Sequence, residues 1–383
     1  MAATALFEGA GPVRTNVERA VALAARSDLG EAEVPELSRL LAETDADGFY
    51  GIVRRHVLGP MVFRRLRELS LVDALPSQTV TALKRDYAVA AMRATSLAED
   101  LGGVLDALGA ADVIPAPIKG AALAWTLYRE PGCRPMSDFD LLVAPDEAER
   151  AAEALAGAGY APLTTDPALI DFYRQHFHMV PLAREGAVAV EIHTGMAAQP
   201  AEKEAAALLD DSSEGRLLNR RARMLRPADH LAIVAAHAFS HREPSLIALA
   251  DCERLSHKVE DWDGLAERVA PAYRPAAGVT LALAAGIFGA PVPENLPRQM
   301  IEQGGARALR LVRDAPGELW SRRARHLALL VAAAGGVQRL WPHRGETAAA
   351  FGVDSRSWTF PFWRAVHPLR QIAVGLRSLV SGH

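Results

Sequence analysis

Apolar residues recur at three- and four-residue spacing through residues 14–110, which predicts helices. The clearest runs are Pro35 to Leu41, Phe49 to Leu69 and Gln78 to Leu108. Ser77 is placed to cap the last of these, and Gly109 lies near its end. The pattern then changes. Val113-Ile114-Pro115-Ala116-Pro117-Ile118 is extended by its prolines and β-branched residues. It runs through Lys119-Gly120 into a helical segment, Ala121 to Tyr128. A loop follows with Pro131, Gly132 and Pro135, and then the apolar run Leu141-Leu142-Val143. Pro145-Asp146-Glu147 opens another helix, through about Ala158, because proline at the first helical position and acids in the first turn suit a helix start. Phe177 to Leu182 and Val188 to His193 read as two strands joined by a polar turn, Ala183 to Gly186. From Ala201 onward the pattern is helical again, most clearly over Ala201 to Leu209, Pro227 to Ser240, Ser245 to Lys258 and Trp262 to Val269. Alanine-rich helices broken by Pro and Gly complete the chain.

These elements define an α+β fold: a small mixed β-sheet core flanked by helical regions on both sides. The expected organisation is an N-terminal helical region at 1–110, an α/β core at 111–200 and a C-terminal helical domain at 201–383. A chain of 383 residues can support this. The net charge of −4 supplies no global field for nucleic acid. Cys133 and Cys252 form no CxxC pair, which excludes a zinc ribbon or disulfide framework and fits a reducing cytoplasm. No uninterrupted apolar run reaches 18 residues, so no transmembrane segment is expected, and Met1 to Val13 lacks the pattern of a secretion signal.

The candidate chemistry sits in the middle region. In Ser137-Asp138-Phe139-Asp140, strand alternation puts both aspartates on one face. Two adjacent carboxylates repel each other, and a hard divalent ion ligated by oxygen relieves this. The competing reading is a capped turn before the strand. Val190-Glu191-Ile192-His193 likewise puts an acid and a histidine on one face, and an acid within a β-branched run is costly to bury unless paired or metal-bound. An edge-strand acid facing solvent is the alternative. If the two strands are neighbours, Glu191 completes a three-carboxylate cluster suited to one or two Mg²⁺ ions positioning a triphosphate. At Lys119-Gly120, glycine allows close approach of the backbone to a phosphate, and Lys119 adds a point charge; a plain turn with a solvated lysine is the alternative.

Ile118-Lys119-Gly120-Ala121-Ala122-Leu123, Leu127-Tyr128 and the long run from Pro131 to Val143 closely resemble the bacterial uncharacterised nucleotidyltransferase family, part of the DNA polymerase β-like nucleotidyltransferase superfamily. The Val190 to His193 strand resembles its third acidic element. His230 to His241, Asp251 and Asp261-Trp262 extend the resemblance over roughly residues 35 to 270. It implies metal ligation by Asp138 and Asp140. Glu191 would be the third carboxylate, on a second metal or as base. Gly120 would open the phosphate-binding turn. The cofactor would be Mg²⁺ or Mn²⁺, and the substrate a nucleoside triphosphate such as ATP. Where the superfamily usually has Gly followed by Gly or Ser, this chain has Lys119 before Gly120 and Ala121 after it. Lys119 or Arg134 is then expected at the phosphates, with Ser137 and His193 completing the nucleotide site. The resemblance favours a peptide, protein or small-molecule acceptor over nucleic acid. A non-catalytic nucleotide- or partner-binding module on the same fold is the alternative.

Other groupings are weaker. His176 and His178 alternate on the expected strand, and His178 would face the same pocket as His193; with the acids, these histidines would suit metal-dependent hydrolysis. His237 and His241 have the i,i+4 spacing of a zinc pair, with Asp251 placed to orient one of them, but HExxH is absent; a structural or substrate-contacting role for the histidines and a buried polar contact between helices for Asp251 are the favoured readings. Walker A, GxGxxG and GxSxG patterns are also absent. Arg322, Arg323 and Arg325 near His326, and the aromatic segment Trp358 to Val380, read as surface features.

Overall fold

The computed structural model describes residues 13, 15–175, 178–196, 203–238, 245–303, 344–357, 359–364 and 366. Those residues fall into two compact units, each discontinuous along the chain. The first is drawn from the described residues within 1–99, 122–136 and 227–321; the second from those within 100–121, 137–226 and 322–383.

The first unit is helical. Its helix Asn16–Ala25 begins with a reciprocal capping box between Thr15 and Glu18 and buries every side chain from Ala20 to Ala25. Such an all-round apolar surface puts a helix at the centre of a core. Helices Glu33–Glu43, Ala46–Arg55, Gly59–Glu68 and Arg274–Phe288 pack against it. The expected single run Phe49 to Leu69 is two helices. The break is a left-handed Val57, with φ 58°, where Leu58 N–H reaches back to the Val53 carbonyl and Val57 N–H to Arg54. Ser70 and Asp112 end their helices in the same way. A glycine usually marks this cap; none of the three is glycine, so the sequence gives no sign of the break. The strain at Val57, a β-branched residue, is of the order of 1–2 kcal/mol.

The Pro131-Gly132-Cys133 turn packs on the long helix Ser77–Ala110. A Cβ on Gly132 would lie 3.0 Å from the backbone of Ala90 and Ala91, and the Cys133 thiol donates to the Pro60 carbonyl at 3.7 Å. Neither backbone can yield independently of its helix. Gly132→Ala is therefore expected to cost about 1–3 kcal/mol, read as a lowered urea midpoint with an unchanged slope.

Trp262 to Val269, expected as a helix, is a chain of turns, because Gly264 takes φ 73°. Helices Pro227–His237 and Leu246–Ser256 form as expected, the latter capped by Ser245. His241 lies outside the described residues, as do His176, Arg322, Arg323, Arg325, His326 and most of Trp358 to Val380.

The second unit contains the sheet. Strands β1 (Ala116–Pro117), β2 (Asp138–Leu142), β3 (Ala161–Pro162), β4 (Leu182–Ala183) and β5 (Ala189–His193) lie in the order β1-β2-β5-β4-β3. The central pair, β2 and β5, is parallel, and the others join antiparallel. A parallel pair requires a long crossover; here it carries helices Ala148–Gly157 and Pro167–Gln175. Phe139, Leu141, Val190 and Ile192 are fully buried and anchor one face of the pair. The strand expected from Phe177 is shorter than its pattern, reduced to β4 and one isolated bridge from His178 to His193.

The chain after Ala201 is not wholly helical. After the helix Lys203–Asp210 comes a hairpin, β6 (Ser213–Leu217) and β7 (Arg220–Met224), turned by Leu218 and Asn219, both at positive φ. Two consecutive left-handed residues form the tight turn that matches strand twist. Four arginines and little alternation disguise these strands as polar loop. Asp166 caps the helix that follows it by accepting from Ala168 N–H at 2.8 Å. Its carboxylate also accepts the backbone N–H and the hydroxyl of Ser355, holding that later segment to the unit.

Candidate metal centre

Parallel register sets the site. Asp138 lies opposite Ala189, Asp140 opposite Glu191 and Leu142 opposite His193. Paired residues on parallel strands project to the same face, so Asp138, Asp140, Glu191 and His193 share one face of the two central strands. Buried central strands are normally apolar on both faces. Here one face is apolar and the other carries three carboxylates and an imidazole.

Asp140 is the most enclosed of these, 4% exposed. Its Oδ1 accepts from Lys119 Nζ at 2.7 Å and lies 2.8 Å from His193 Nε2. Burial alone would raise its pKa; the Lys119 ammonium and then His193 outweigh that and hold the carboxyl well below the usual range. Glu191 shifts the opposite way, because burial and then the charges of Asp140 and Asp138 disfavour its ionised form more than His193 and Lys119 favour it. Its Oε2 is 3.6 Å from His193 Nε2.

One donor atom each from Asp140, Glu191 and His193 lies within 4.8 Å of the other two, a geometry that could hold a metal ion. Oxygen ligands bind Mg²⁺ at about 2.1 Å, so two donors on one octahedral ion stand about 3.0–4.2 Å apart. The donor set is of the kind that holds one small divalent ion, once Lys119 moves from Asp140 Oδ1. Asp138 lies on the same face of β2, outside this closest set; its hydroxyl neighbour Ser137 donates to Oδ1 at 3.2 Å.

Lys119 reaches the site from the junction between β1 and the helix Gly120–Thr126, where Ile118 N–H bonds the Asp140 carbonyl. The left-handed residue of this junction is Lys119, with φ 50°, and not the glycine after it. Gly120 is buried as the first residue of its helix. On the other side of the site, the His178 ring stands 5.2 Å from that of His193, as the alternation predicted. Tyr173 packs edge-on to His178 at 4.9 Å. Burial, and then the charge of Glu191, raises the Tyr173 hydroxyl. Tyr173 comes from the crossover helix, and no feature of its sequence neighbourhood marks it.

Arg134 belongs to the first unit. Its guanidinium grips Asp251 through Nε, at 2.8 and 2.9 Å, and through Nη2 at 2.8 Å, while Nη1 donates to the Pro135 carbonyl. Tyr128 donates to the same carboxylate at 2.6 Å, and Arg254 lies over the Tyr128 ring. Asp251, weighed as a histidine partner against a buried polar contact, is the hub of a buried arginine–tyrosine cluster.

The chain belongs to the uncharacterised nucleotidyltransferase family, whose model matches residues 42–289. That span includes Lys119, Asp138, Asp140, Glu191 and His193. No curated protein matches the chain. The protein is therefore a transferase of phosphorus-containing groups acting on a nucleotide, in a family whose enzymes usually use a divalent metal. Among the described residues no helix is long and apolar enough to cross a membrane.

Proposed function

We propose that this protein is a Mg²⁺- or Mn²⁺-dependent nucleotidyltransferase that moves a nucleoside monophosphate from an NTP to a hydroxyl of a peptide, protein or small-molecule acceptor. The supporting observation is the register that brings Asp140, Glu191 and His193 together on neighbouring parallel strands. These three would hold the ion, with Asp138 adding charge from the same face. A divalent ion there would supply charge neutralisation at the α-phosphate and align the departing pyrophosphate. The acceptor oxygen forms a bond to the α-phosphorus as the bond from that phosphorus to the β-bridging oxygen breaks, and pyrophosphate leaves. The acceptor's proton passes to a carboxylate. Glu191, the third carboxylate of the shared face, would take it. Lys119 would contact the phosphates, and buried Gly120 would let the backbone approach them. Two buried free thiols, Cys133 and Cys252, fit a reducing cytoplasm.

The test uses NTPs labelled at either the α- or the γ-phosphate, with Mn²⁺ and a metabolite-and-peptide extract as acceptor source. The expected result is α-label moved to a new product, no γ-label moved, and loss of transfer in the Asp138→Ala/Asp140→Ala double variant. Equal transfer by that variant contradicts the reading. A second reading, nucleotide binding without transfer, draws on the Lys119–Asp140 ion pair, which neutralises the carboxylate, and on the absence of a serine after Gly120. Calorimetric NTP binding with no α-label moved would favour it.

A further inference from the structure

Lys119 occupies the place a cation would take. Its ammonium contacts Asp140 Oδ1 at 2.7 Å, the pair is nearly buried, and Oδ1 is the same oxygen that faces His193. The backbone of Lys119 is left-handed, a conformation a lysine adopts at a cost of about 1–2 kcal/mol. Retained strain of this kind points to a functional position.

We propose that Lys119 is a displaceable internal cation: it neutralises Asp140 when the site lacks a metal and is driven off when a divalent ion binds, which frees its ammonium for the nucleotide's phosphates. The proposal rests on reading Asp140, Glu191 and His193 as a metal set, and it adds an order of events. A buried carboxylate without a counter-charge is costly, so the empty site needs Lys119. An ion and an ammonium cannot share one carboxylate oxygen without strong repulsion, so the loaded site must release it. Metal and nucleotide then bind cooperatively, because the ion prepares the phosphate contact. Lys119 is in this sense a competitor of the metal at Asp140 and a binding residue for the triphosphate.

The two roles predict opposite effects of one substitution. In Lys119→Met the competing ammonium is gone, so Mn²⁺ binding without nucleotide, followed by electron paramagnetic resonance of free Mn²⁺, is expected to tighten by about 5- to 150-fold, the usual range of coupling between two binding events. The manganese complex of inorganic triphosphate is expected to bind the same variant more weakly than wild type. Lys119→Arg, which keeps the charge, is expected to bind Mn²⁺ about as wild type does. If wild type binds Mn²⁺ and Lys119→Met binds it no more tightly, the displacement idea is overturned while the metal centre stands. If no form binds Mn²⁺, both fall. The wild-type chain offers a check independent of folding in the variant. Its lysines are Lys84, Lys119, Lys203 and Lys258, few enough to resolve after selective ¹³Cε labelling, with the Lys119 signal assigned from its loss in Lys119→Arg. Saturating Mg²⁺ is expected to move the Lys119 signal and leave the other three in place. A stationary Lys119 signal at saturating Mg²⁺ overturns the proposal.

Discussion

Asp140→Ala is expected to abolish divalent-metal binding, to lower nucleotidyl transfer by about 10³-fold or more, and to destabilise the second unit. The structural loss follows from the same contacts as the functional one. Removing the carboxylate takes away the ion pair of the Lys119 ammonium, whose side chain is 13% exposed, and the 2.8 Å contact of His193 Nε2. Breaking a buried pair from one side costs about 3–5 kcal/mol. The lower end applies here, because Glu191 stands 3.6 Å from His193 and can take up part of the charge. The sign of the pH dependence is fixed by the direction of the shift. Asp140 binds protons less readily folded than unfolded, so its stabilisation is fully present above the unfolded carboxylate pKa of about 4 and fades only as pH falls below it. The part of the gap between wild type and variant that comes from Asp140's own ionisation should narrow only in acid, read by denaturant titration. A variant that unfolds at the wild-type urea midpoint at pH 7 would contradict the assignment.

Glu191→Gln is expected to separate function from stability. Activity should fall about 10²- to 10³-fold, the range for loss of a proton-accepting carboxylate. Stability should rise, by about 0.5–2 kcal/mol, as it does when a strained functional charge is removed. Burial and the neighbouring Asp140 and Asp138 disfavour the Glu191 carboxylate in the folded state. Its folded pKa therefore lies above its unfolded one, and stability is lost as pH rises between the two. Glutamine removes that loss. The variant's advantage should be absent below about pH 4, where glutamate is protonated in both states, and present at pH 7. Equal melting temperatures at pH 7 would show that the repulsion is relieved in some other way.

The aspartates and Glu191 were legible because strand alternation is a strict rule: once β2 and β5 exist, Asp138, Asp140, Glu191 and His193 must share faces in pairs. That the strands are neighbours, with Asp140 opposite Glu191, was conditional in the sequence and became definite only with the sheet. The Lys119 contact was harder to foresee. Lysine before glycine reads as a solvated turn residue, and only the left-handed backbone at Lys119 turns it toward Asp140. Arg134 shows the converse. Its sequence places it four residues from Asp138, yet its guanidinium is committed to Asp251, which is more than a hundred positions further along. Sequence distance carries no information about such a pair.

The helices are legible where the apolar stripe is continuous, and their ends are not. Val57, Ser70 and Asp112 cap helices in a conformation normally signalled by glycine. The reverse error occurred at Trp262 to Val269, where apolar spacing suggested a helix and a left-handed Gly264 prevented it. The β6–β7 hairpin was missed because its turn is Leu218-Asn219, without the usual glycine, and because charged side chains mask its alternation. Tyr173 beside Glu191 had no local signature at all. Periodicity reports burial, and none of these features is set by burial.

The central claim is that Asp140, Glu191 and His193 form one divalent-metal centre. Calorimetric titration of the chain with Mn²⁺ tests it most directly. The account predicts one saturable site per chain in the wild type, lost in Asp140→Ala and weakened by at least about tenfold in both Glu191→Gln and His193→Ala. Saturable binding that is unchanged in all three variants would place the ion elsewhere and contradict the account.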